Sequence, residues 1–246
     1  MLVAAAVCPC PPLLVPEVAA GAASELDAAR EACDEAIGAV LAAGPDLLWV
    51  IGEGPRPGVH RPGSRGSFRP FGVDVDVCLG APDDDSADDS AEVALPPSLS
   101  VGAWLLTRAG WTGEVRGYEL APGGTAFDTM DGAWRLGEGR TGKERVGFLV
   151  MGDGTACRTV KAPGYLDERA EGVDARIAEA LRTCDRDGYL AQLDAGLAAE
   201  LKISGRAPWQ LLSAAWAADH DDDKGTSRLL YEDAPYGVGY FVASWT

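Results

Sequence analysis

Histidine is nearly absent from this chain: its 246 residues include two, His60 and His220. Two histidines in separate settings exclude a site that needs a cluster of imidazoles. Positive charge is also scarce. Twenty-one Lys and Arg stand against 38 Asp and Glu, a formal net charge of −17. Such a surface repels a phosphate backbone, so no nucleic-acid partner is expected. Anionic lipid is disfavoured on the same ground. No run approaches the ~20 apolar residues that cross a bilayer, so no membrane partner is expected either. The apolar start, MLVAAAVCPCPPLLVP, lacks a basic region and is broken by four prolines and two cysteines, unlike an export signal. A cytoplasmic location is therefore expected, with the six cysteines as reduced thiols. Their spacing offers no disulfide framework, and Cys8-Pro9-Cys10 is not the two-residue-gap zinc pattern. There is no internal repeat and no Walker or dinucleotide glycine fingerprint.

What the chain does have is apolar residues, 47% of the total, enough for a sizeable core. Leu2 to Val7 is a continuous apolar run, as in a strand buried on both faces, and Pro9, Pro11 and Pro12 end it. Ala22 to Ala43 has helical periodicity, and Gly44-Pro45 stops it. Leu47 to Ile51 is a second buried strand. This β-α-β opening predicts a parallel pair. Residues 54–70 read as a Gly, Pro and Arg-rich loop, and Val73 to Leu79 as a half-exposed strand. The run 83–92 (DDDSADDSAE) predicts a solvated, mobile insertion. A helix over 97–109, a strand over Val115 to Leu120, a Gly-rich lid or hairpin over 121–143 and a strand over Arg145 to Met151 follow. Helices are predicted at about 166–183, 186–201 and 207–218, then strands at 227–231 and 237–244. The whole predicts one α/β domain over 1–246: a central mixed, largely parallel sheet flanked by helices.

In open α/β sheets ligands bind beyond the carboxyl ends of the strands. Three predicted strands end in turns with chemically useful side chains. These are Cys8 and Cys10, then Glu53, then Asp153. Parallel strands would bring these turns to one edge. Each residue also has a plainer reading. The cysteines suit small buried hydrophobes, Glu53 suits loop amides or Arg56, and Asp153 suits a turn. His60 and His220 sit in loop-like stretches that favour exposure.

The residues also resemble a family. VAAAVCPCPPLLVPE is similar to the opening of class III extradiol ring-cleavage dioxygenase subunit-B-like proteins, which often read Pro-His-Pro-Pro there. LLWVIGEGP resembles their second strand and metal-bearing turn, and FLVMGDGTACR the turn with their catalytic histidine. ISGRAPWQLLSAAW is similar to the Cys-Gly-Arg-x-Pro stretch of the related Memo proteins. YEDAPYGVGYFVASW resembles the closing strand pair of a bacterial branch. The resemblance implies ferrous iron held by two histidines and a carboxylate, with another histidine as acid and base. Here Cys10 stands at the first histidine, Glu53 is the sole donor in the second turn, Ala156 falls near the acid/base histidine, and Ser204 replaces the Memo cysteine.

The expectation is a divergent member with a degenerate metal site, a small-molecule-binding or accessory protein without ring-cleaving activity. Its candidate pocket is Cys8, Cys10, Glu53, Asp153, Ser204 and Arg206. No cofactor is predicted; were iron, copper or zinc held, Cys10 and Glu53 would be its place. The alternative is a metal-dependent dioxygenase or other oxidoreductase with a rebuilt site for a small aromatic substrate. Oligomeric state is left open.

Overall fold

In the computed structural model, which describes residues 1–81, 94–124, 144–220 and 225–246, the chain alternates strand and helix from its start. Strand β1 (Leu2–Cys8) leads through a one-turn helix α1 (Pro16–Ala19) to α2 (Asp27–Ala42) and β2 (Leu47–Glu53). The short strands β3 (Gly58–His60), β4 (Arg65–Ser67) and β5 (Asp76–Cys78) precede α3 (Pro97–Arg108). Then come β6 (Glu114–Leu120), β7 (Val146–Met151), α4 (Arg169–Arg182), α5 (Ala195–Leu201) and α6 (Arg206–Asp219). Strands β8 (Ser227–Asp233) and β9 (Tyr240–Trp245) close the fold.

Among the described residues seven strands form one sheet in the order β3-β6-β2-β7-β1-β9-β8. The central four, β6-β2-β7-β1, are parallel. β9 joins β1 antiparallel, β8 joins β9, and β3 joins the far edge at β6. β4 and β5 make a separate two-stranded ribbon. The predicted single α/β domain with a mixed, largely parallel sheet is the observed architecture.

Side-chain alternation along the strands builds two cores. Ala5, Val7, Trp49, Ile51, Phe148 and Val150 meet α4, α5 and α6 on one face. Ala4, Ala6, Cys8, Leu48, Val50 and Met151 meet α2 and α3 on the other. α2 turns Ala29, Cys33, Ala36, Ile37 and Val40 inward. A branched side chain such as Ile37 contributes about 1.5–3 kcal/mol by leaving water. Gly102 lets α3 lie against Val50, since a Cβ there would strike its Cγ1.

The structure corrects several boundaries. The 54–70 stretch is not all loop, because β3 pairs there with the distant β6 and β4 with the nearby β5. Strand 73–79 shrinks to β5, which is one edge of a ribbon. The helix expected from 186 begins at Ala195. The closing strand begins at Tyr240, after Gly237 adopts φ 75°. The insertion at 83–92 and nearly all of the 121–143 stretch lie outside the described residues.

β7 lies between β1 and β2, although it is the last of the three in sequence. The helices after β1 and β2 cover one face, and those after β7 cover the other. Connections therefore diverge where β7 meets its neighbours, which opens a crevice at the strands' carboxyl ends.

Candidate functional site

Three of the turns named by sequence do converge in that crevice. The Cys10 N–H donates to Asp153 Oδ1 at 2.8 Å, which ties the turn after β1 to the turn after β7. The Asp153 N–H donates to Ser204 Oγ at 3.1 Å, and the Gly205 N–H returns to the Asp153 carbonyl at 2.9 Å. The turn after β7 is thus laced to the loop that starts α6. Glycine permits this contact: a Cβ on Gly152 would collide with the Gly205 backbone, and one on Gly205 with the Trp209 ring.

Glu53 ends β2 and lines a cavity of about 380 Å³. Pro122, Ala195, Ala198 and Ile203 supply apolar wall, and Lys202, Ser204 and Arg206 supply polar groups. Burial pushes the Glu53 carboxyl up to about 7, against the Ala207 amide and the Arg206 charge, which hold it down. That amide belongs to the first turn of α6, where a helix dipole favours the anion. Burial outweighs both.

Asp153 is half-buried as a residue, and burial of its carboxyl pushes it up to about 7. The hydrogen bonds from Cys10 work in the other direction without prevailing. The Cys10 thiol is raised, first by burial and then by the Asp153 charge, while a hydrogen bond with Ser204 lowers it. Tyr240, at the start of β9, is buried beside this group. Its hydroxyl is raised by burial and then by Asp153 and Cys10. At neutral pH the arrangement presents two carboxyls near half-protonation and a protonated thiol, not a thiolate.

Arg206 opens α6 and is 6% exposed. Its Nε donates to the Leu193 carbonyl at 2.9 Å and its Nη1 to the Gly124 carbonyl at 2.6 Å. Cys8 does not join the site. It sits one residue out of phase with Val7, faces α2, and hydrogen-bonds with Cys33 inside the core.

Both histidines lie elsewhere, and His60 is not exposed as expected. It is buried under the β3–β6 edge, with Nε2 2.8 Å from Glu119 Oε2. Glu119 Oε1 also accepts the Arg56 N–H at 2.6 Å, so Arg56 serves Glu119 rather than Glu53. His220 stacks on Trp216 with ring centroids 3.9 Å apart. Among the described residues no three His, Cys, Asp or Glu side chains gather as a metal-holding group. The donor set therefore does not fit the two-histidine, one-carboxylate iron that the family resemblance implies.

Sequence reasoning missed Lys202 and Tyr240. Nothing in composition marks Tyr240, because the pairing of β9 with β1 places it. Lys202 ends a short helix, as many solvated lysines do.

No protein-family model matches the chain, and no curated protein matches it. Among solved structures, an uncharacterized protein of Escherichia coli K12 is similar, with a TM-score of 0.52 and 10% identity over 99% of each chain. That likeness is one of fold.

Proposed function

We propose that this chain is a divergent relative of the class III extradiol dioxygenase subunit-B-like and Memo proteins that binds a small molecule without ring-cleaving chemistry. The observation that carries this reading is the cavity of about 380 Å³ at the strands' carboxyl ends, with Glu53 in its wall. Its volume and mixed lining suit a small organic ligand. The iron chemistry of the resembled family needs imidazoles at positions that here hold Cys10 and Ala156, and a raised Cys10 thiol is a poor replacement.

Two experiments test the reading. A thermal-shift screen of small molecules is expected to give hits that disappear in Ala199→Trp, which places an indole at the cavity wall from an exposed position. Metal analysis of purified protein is expected to show no stoichiometric iron. Anaerobic loading with ferrous iron, then catechol and air, should give no ring-fission product. A product abolished by Cys10→Ala or Glu53→Gln would overturn the proposal.

A second reading, an enzyme with a rebuilt site, draws on a different observation. Glu53 and Asp153 are both pushed up to about 7, and a carboxyl poised there serves as a general acid or base. It predicts turnover of a screened ligand, with a pH profile that Asp153→Asn alters.

A further inference from the structure

We infer that the cavity takes a small organic anion, its acid group held by Arg206 and Lys202 and its apolar body lying on Ala195, Ala198, Ile203 and Pro122. This rests on the reading of the cavity as a small-molecule site.

The first support is an uncompensated charge. Arg206 is almost wholly buried, and among the described residues no carboxylate lies within ion-pair distance of its guanidinium. Its two carbonyl partners fix its plane without neutralising it. A buried charge left unpaired is costly, and a bound anion would relieve that cost. Glu53 feels the Arg206 charge, but burial keeps it close to half-protonated at neutrality, so it compensates only in part.

The second support is backbone strain at Lys202. This residue caps α5 in the left-handed region, with φ 56° and ψ 46°. Its N–H bonds back to the Ala198 and Ala199 carbonyls, and the Ile203 N–H bonds to Ala198. Glycine is the ordinary occupant of such a cap, and a residue with a Cβ is strained there. Strain at a cavity wall points to what its side chain does. The Lys202 side chain runs over Gly164, where a Cβ would stand 3.0 Å from its Cδ. It forms no ion pair among the described residues, in a chain where acids outnumber bases 38 to 21.

The remaining wall is apolar. Two cations facing one half-neutral carboxyl disfavour a cationic ligand. A neutral ligand would leave Arg206 as it stands. An acid with a short apolar body answers both the charge and the wall.

The experiment uses three probes of one shape: hexanoate, hexanamide and hexylamine, titrated at pH 7 and fixed ionic strength. Hexanoate should bind at least about tenfold more tightly than hexanamide, and hexylamine should not bind. Lys202→Gly suits the cap, so its melting temperature should equal or exceed that of the parent. The same variant should lose about tenfold in hexanoate affinity and leave hexanamide affinity unchanged. Equal affinities for acid and amide, preference for the amine, or an unchanged hexanoate affinity in Lys202→Gly would overturn the inference while the cavity stands as a site. Silence of all three probes also overturns it. Failure of the broader screen as well would remove the binding reading beneath it.

Discussion

The proton on Asp153 links this site to the stability of the whole chain. An aspartate in the unfolded chain titrates near 3.9, whereas the folded carboxyl is raised to about 7. The folded state thus binds the proton more tightly. Its contribution to stability is complete below about pH 4 and is lost as pH rises through about 7. Glu53 acts in the same direction. Asp153→Asn keeps an acceptor for the Cys10 amide but cannot ionise. At pH 8 the variant should exceed the parent in unfolding free energy by on the order of 1–3 kcal/mol. The gap should close below pH 4, as read from denaturant melts across pH. A constant gap at every pH would show that packing, not ionisation, sets it.

At the same scale, three of the six candidate pocket residues were legible because strand ends announce themselves, whereas Ser204 and Arg206 were named only through the family resemblance. An apolar run stops, and Cys10, Glu53 or Asp153 follows. Cys8 went astray by one position. Alternation along β1 turns it toward α2, and only knowledge of which face Val7 takes would have shown this. Lys202 was invisible because its distinguishing property is a dihedral angle. His60 looked exposed because its cover is β6, more than fifty residues away in sequence.

Among the elements, the segment expected as a helix over 186–201 shows how side chains override periodicity. Cys184 and Asp185 both adopt positive φ, and the chain turns there instead of winding on. Asp185 holds that turn. Its carboxylate accepts the Leu190 N–H at 2.8 Å, the Ala191 N–H at 3.0 Å and the Ser213 hydroxyl at 2.6 Å. Aspartate competes with helix by offering the backbone such bonds. Asp185→Ala would leave the buried Leu190 N–H and Ser213 hydroxyl without this partner. The expected loss is about 2–4 kcal/mol in unfolding free energy, measured by urea titration. A loss under about 0.5 kcal/mol would mean that water reaches the turn. Leu190, Leu193 and Arg206 all depend on the path of this turn, so the variant should also weaken ligand binding.

At the scale of the molecule, the alternation of apolar runs with helical stretches made the fold class legible, along with helices on both faces. Strand order was not. The runs in β1, β2 and β7 are all buried and chemically alike, so nothing in them says that β7 lies between the other two. The closing strand was legible as structural, since large side chains alternate on both of its sides. β9 is buried at all six positions and separates β1 from β8. Truncation after Ala234 removes Phe241 and Trp245 from the α4–α6 core and Tyr240 and Val242 from the other. The truncated chain should be insoluble or lack near-ultraviolet circular dichroism. A folded, monomeric truncate would show that the four parallel strands suffice.

The late arrival of β7 also governs how the protein is made. Between the emergence of Glu53 and that of Val146, synthesis at ~5–20 residues per second takes roughly 5–20 s. Throughout that interval β1 and β2 are present with the slot between them unfilled, and each offers an unpaired edge toward it. β9 follows later still, and until it emerges the other edge of β1 is open too. The nascent chain therefore carries unpaired edges of β1 and β2 until β7 emerges, and an unpaired edge of β1 until β9 does.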